Sequence, residues 1–180
     1  MVRGRGYVGA LVAVVLLSLG LSACTPPAPT PTPTPTGFAD EDAAFAAAEE
    51  TYRAYVDALN HVDLSDPATF EDVYAWTTGA ALDGEKKSLS GMHAEGWTVA
   101  GASTVASISP DRELSNIEDG AATLRACSDV SEVTVTNAVG ESMVDPNRPQ
   151  LQSVIVTTTA DSRSKTGWLI SDLSSGDHRC

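Results

Sequence analysis

"WTVAGASTVASIS", residues 97–109, marks the point where the hydrophobic period of this chain drops toward two. From here on, β-branched residues recur in short runs divided by turn residues, the pattern of half-buried strands. "AATLRACSDV" (121–130), "EVTVTNA" (132–138), "LQSVIVTTTA" (151–160) and "WLISDLSS" (168–175) repeat it. Gly101 lies inside the first run, where a glycine predicts a bulge or bend that lets a sheet curl.

Upstream of Trp97 the period is helical. Phe45, Ala48, Tyr52, Tyr55, Val56, Leu59 and Val62 fall at three- and four-residue steps and form one apolar stripe. Asp40, Glu41 and Asp42 stand at its start, where the helix dipole favours acid. Asp66-Pro67 is a second start signal, an N-cap acceptor followed by proline in the first turn. Phe70, Val73, Tyr74 and Thr77 continue that helix, and Gly79 is expected to end it. Residues 80–95 read as a third helix, weakened by Gly84 and Gly91 and stopped by Gly96. Helices first and strands after predict an α+β domain over residues 38–180, its N-terminal helices packed on a curved antiparallel sheet.

The first 37 residues follow other rules. "MVRGRG" carries two arginines and no acid, and "YVGALVAVVLLSLG" is a short apolar run. With the small Ala23 before Cys24, this is the layout of a secretory signal over residues 1–23. A membrane-spanning helix needs about 20 apolar residues, and Pro26-Pro27 would interrupt any extension. Leu21-Ser22-Ala23-Cys24 resembles the lipobox of bacterial lipoproteins at all four positions. The resemblance implies cleavage before Cys24, a diacylglyceryl group on its thiol, and a chain anchored at the outer face of the cell membrane. Two acyl chains hold stably where one holds only marginally.

Residues 24–37 join that cysteine to the domain. Thr25–Thr36 contains six prolines and five threonines. Proline fixes φ and removes N–H donors, so extended polyproline II is favoured, with a reach of roughly 37 Å for twelve residues.

The net charge is −13, and removal of Arg3 and Arg5 with the signal leaves nine basic against 24 acidic residues, or −15. Such a surface repels nucleic acid and anionic headgroups and excludes both as partners of the domain. Hydrophobic residues make up 42 % of the chain, enough to build a core.

Three helices followed by a bent sheet resemble the nuclear transport factor 2-like cone of the cystatin-like superfold. A narrower resemblance is to small actinobacterial lipoproteins, in which Arg125-Ala126-Cys127-Ser128-Asp129, Gly167-Trp168-Leu169-Ile170 and a C-terminal cysteine recur. It implies a pocketed, extracytoplasmic binding domain. In a cone the last strand packs near the central one, which would bring Cys180 to Cys127. A Cys127–Cys180 disulfide is therefore expected, with two free thiols as the alternative.

Motifs for chemistry are sparse. His61, His93 and His178 are far apart in sequence and lack HExxH or CxxC companions, so no metal and no cofactor is expected. Cone folds that host isomerases or dehydratases place an acid, a histidine or a tyrosine in an apolar pocket. Tyr52, Tyr55, Asp57 and His93 are the candidates here. Three readings remain open. One is a non-catalytic lipoprotein that binds a small ligand or an envelope protein. The second is a cone-pocket enzyme using general acid–base chemistry, and the third is an assembly protein.

Overall fold

Asp40 is extended, and its side chain accepts a 2.8 Å hydrogen bond from the Ala43 N–H, capping the first helix. The computed structural model describes residues 37–180; the signal segment, Cys24 and the Thr25–Thr36 run lie outside them. Helix α1 spans Glu41–Asn60. Ala44, Phe45, Ala48, Thr51, Tyr52, Tyr55 and Val56 are buried on it, as the stripe requires. Arg112 reaches back over the helix start, donating to Glu41 and Asp42 with its guanidinium 4.9 Å from the Phe45 ring centroid.

Asp66-Pro67 does open a turn. Asp66 Oδ1 accepts from the Ala68 N–H, and a single 3-10 turn, Pro67–Thr69, leads into α2, Phe70–Tyr74. There the expectation fails, because Thr77 does not continue the helix and Gly79 does not end it. Thr77 forms a parallel bridge to Ile170, the Ile170 N–H donates to Trp76 O, and the Thr78 N–H donates to Ile170 O. The free edge of a distant strand thus captures residues 76–78 and draws Thr78 into an extended backbone. Gly79, at φ +53°, instead begins α3, Gly79–Ala94.

The run 97–109 divides. Its first half is β1, Thr98–Ala100, and its second is β2, Thr104–Pro110. Gly101 has φ +81°, and a Cβ there would lie 1.9 Å from Glu132 O. Only glycine allows both this backbone and that close approach. Strand β3 is Ala121–Asp129, β4 Thr134–Thr136, β5 Leu151–Ala160 and β6 Trp168–Ser175. The main sheet is antiparallel in the order β2-β3-β5-β6, and β1 pairs with β4 as a separate two-stranded ribbon. Register shifts at Val105/Ser107 and Thr157/Thr158 bend the outer strands, which supplies the curl.

Helices cover the face formed by Ala122, Leu124 and Ala126 of β3, Val156 and Thr158 of β5, and Ile170 of β6, all with 0 % exposure. Trp168 is equally buried. It stacks on Phe38 at 5.4 Å and donates its indole N–H to Ala44 O at 2.9 Å, tying sheet to helix. Burial of each such large side chain contributes about 1.5–3 kcal/mol. The fold class is α+β, helices on a curved antiparallel sheet. The described residues belong to one compact unit, Pro31–Cys180, whose core cluster is drawn from Phe38 to Leu173. The described residues thus have a hydrophobic core of their own.

Candidate functional site

Tyr52 and Tyr55 face the sheet from α1, their rings 6.1 Å apart. The Tyr52 hydroxyl meets Ser128 Oγ at 2.8 Å, and the Tyr55 hydroxyl donates to Glu85 Oε1 at 2.5 Å. Burial pushes both phenols above their ordinary range, and for Tyr55 the neighbouring Glu85 charge adds to it. Burial also raises the Glu85 carboxyl, opposed by the hydrogen bond from Tyr55. Each hydroxyl is thus occupied by a partner inside the fold.

Glu85 and Ser128 were not among the sequence candidates. Glu85 did leave a signal, because it stands four residues from both Ala81 and Leu89, the two buried residues of α3. A carboxyl on an apolar stripe calls for a partner. Ser128 follows Leu124 and Ala126 on the core face of β3, an alternation visible in sequence.

The other two candidates lie elsewhere. Asp57 is 76 % exposed and sits one turn before His61, their side chains 3.8 Å apart. Both line a surface cleft of about 390 Å³ with Asp72, Trp76, Arg163 and Lys165. Its charges are of mixed sign, and Arg163 already makes three bonds to Asp161, two from its side chain and one from its backbone N–H, which hold that carboxyl down to about 2. His93 donates from Nδ1 to Leu64 O at 2.6 Å and meets Phe70 edge-on, fastening α3 to the loop after α1.

That fastening shapes a second cavity, of about 250 Å³, between the end of α1, α3 and the β1–β4 ribbon. Nine of its twelve lining residues are aliphatic or methionine, among them Leu59, Leu64, Leu89, Met92, Val99 and Val133. Asn60 and Ser103 are polar, but they bond each other. Asn60 Nδ2 donates to Ser103 O at 2.8 Å, and the Ser103 N–H donates to Asn60 Oδ1 at 2.9 Å. No charged residue lines this space. Sequence reasoning did not find it, because its walls come from four separate segments.

The C-terminus is stapled to the outer sheet face. Cys127 and Cys180 are disulfide-bonded with Cα atoms 5.5 Å apart. His178 donates from Nε2 to Ala126 O at 3.1 Å, so in its neutral form Nδ1 accepts from the Ser153 hydroxyl at 2.9 Å. Cys127, His178 and Cys180 are close enough to share a metal ion, yet both sulfurs are held in the disulfide. No helix among the described residues is long and apolar enough to cross a membrane.

No protein-family model matches the chain, and no curated protein matches it. Solved structures do. The intermembrane-space region of the chloroplast protein ARC6 is similar with a TM-score of 0.50 and 13 % identity, over 72 % of this chain and 94 % of that one. A periplasmic fragment of TraM has a TM-score of 0.45 and 15 % identity, covering 76 % and 96 %. VirB8 of Agrobacterium tumefaciens has 0.40 and 10 %, covering 76 % and 94 %. At these identities the ARC6 likeness is one of fold, and it carries no activity across.

Proposed function

We propose that this protein is a lipid-anchored, extracytoplasmic binding module, held at the membrane through Cys24 and spaced from it by Thr25–Thr36. The cavity beneath the β1–β4 ribbon is its ligand site. One observation carries the binding reading. The core tyrosines are closed onto Ser128 and Glu85, whereas the apolar cavity presents hydrophobic walls with nothing charged among them. A hollow of that kind takes up a ligand and offers no reactive group. The lipobox-like Leu21–Cys24 stretch supports the anchor. The Cys127–Cys180 bond suits an oxidising compartment, and the acidic surface suits a domain kept clear of headgroups by a stiff spacer.

Metabolic labelling tests the anchor. Wild-type protein should incorporate labelled palmitate and sediment with membranes, and Cys24→Ser should incorporate none. Unlabelled wild-type protein, or label in the Cys24→Ser chain, overturns it.

The Tyr55–Glu85 pair favours a second reading, general acid–base catalysis, because a raised carboxyl beside a phenol is the equipment such an enzyme uses. Opening of that pair to a substrate would have to be shown by turnover that Glu85→Gln abolishes.

A further inference from the structure

We infer that the cavity beneath the β1–β4 ribbon binds a small, uncharged aliphatic molecule, recognised by its hydrocarbon surface alone. This rests on the reading of the chain as a binding module and names the ligand class of that site.

The chemistry of the walls sets the class. Leu64 and Leu89 are buried at 4 % and 3 % exposure, but Leu59, Met92 and Val133 are only half-buried, and Val99 is 39 % exposed. A well-packed core would close such side chains against one another. Here they line a hollow open on one side, whose walls offer water few polar partners. An apolar cavity of about 150 Å³ already holds benzene, so 250 Å³ accommodates a larger ring or a short branched chain.

Asn60 and Ser103 decide against a polar ligand. The side-chain carbonyl of Asn60 accepts from both the Ser103 N–H and hydroxyl, and its amide donates to Ser103 O. The pair reads as a strut between α1 and the start of β2. A carboxylate or ammonium in this space would give up part of its hydration and meet no opposite charge on the walls. Aromatic side chains are also missing from the lining, so a stacked ligand has no platform.

The walls are held from outside the cavity. His93 secures the Leu64 carbonyl, and Arg148 donates to the carbonyls of Val130 and Val133 at 2.8 and 2.9 Å. Gly101 allows the β1–β2 bend to lie against Glu132. Three independent contacts thus keep the hollow formed without a ligand, which lowers the ordering cost of binding.

Two methionines make the test direct. The Pro31–Cys180 unit contains Met92, on the cavity wall, and Met143, which is outside it and 44 % exposed. With methyl-labelled methionine, titration of cyclohexane should move the Met92 resonance saturably and leave Met143 in place. Cyclohexanecarboxylate, the same ring with a charge, should bind about tenfold or more weakly. Val133→Phe and Val99→Phe each fill the cavity and should abolish the Met92 response, with the thermal transition showing which variant is folded. Should neither fold, the wild-type titration decides.

A Met92 resonance indifferent to saturating cyclohexane overturns the inference, as does equal movement of both methyls or equal binding of the carboxylate. Movement of Met92 on concentrating the protein alone would assign the cavity to a second copy of the chain and equally end it. Palmitate labelling is independent of all these outcomes, so the anchored-module reading and the ligand class fail separately.

Discussion

Tyr55 of α1 donates its hydroxyl proton to Glu85 of α3 across 2.5 Å, and this bond closes the helical layer over the sheet. Burial raises the Glu85 carboxyl above its ordinary 4.5. A group whose pKa is higher folded than unfolded supports folding fully below the unfolded value and loses that contribution as pH rises through the folded one. Wild-type stability should therefore fall from pH about 4.5 upward relative to Glu85→Gln, whose amide oxygen still accepts from Tyr55. Urea midpoints of the two chains across that range provide the check, and parallel curves would refute it. Tyr55→Phe removes the donor and should cost about 1–3 kcal/mol.

Asp111 behaves in the opposite sense. Burial works against its carboxylate, but hydrogen bonds from Arg125 and the Leu114 N–H, with the Arg125 charge, outweigh it and hold the pKa below 3.8. Stability from this pair is present above the unfolded value and lost as pH falls through the folded one. Arg125→Met should lower the urea midpoint at neutral pH by stranding a buried anion, and adding Asp111→Asn should restore most of it. No recovery in the double variant would mean that Arg125 acts through its stem and not its charge.

The Cys127–Cys180 bond encloses most of the sheet, spanning 53 positions of sequence. On the chain-entropy model such a loop is worth about 4 kcal/mol. Cys180→Ser should lower unfolding free energy by about that amount in denaturant titrations, with the 38–160 backbone signal otherwise retained. A loss below about 1 kcal/mol would show that the tail is already fastened by His178 and Ser153.

Gly101→Ala tests the bend. Its φ of +81° costs an L-residue about 1–3 kcal/mol, and the new Cβ would overlap Glu132 O. A drop in thermal midpoint should accompany loss of the Met92 response to cyclohexane, because the same bend carries one wall of the cavity. An unchanged midpoint would mean that the β1–β2 junction can re-form without glycine.

Local periodicity carried most of the secondary structure. The α1 stripe from Phe45 to Val56 and the runs 151–160 and 168–175 could be read directly, since each depends only on which neighbours in sequence are apolar. Residues 76–79 could not. Their conformation is set by hydrogen bonds to Ile170, some 90 positions away, and a strand edge that distant leaves no mark on the local pattern. The same holds for the run 97–109, which looked like one strand with a bend and serves two different sheets. Glu85 sits between these cases, conspicuous on its stripe while its partner was unknown.

By itself the sequence determined an acidic α+β domain, the order of its helices and strands, and a cysteine standing at the end of an apolar run. Tertiary structure alone decided that β1 leaves the main sheet for β4, that Tyr52 and Tyr55 are closed onto partners, and that a charge-free cavity forms beneath the ribbon. The physical reason is range. Hydrophobic period and capping act within a turn or two of chain, whereas a cavity is made of surfaces that meet only after distant segments have packed.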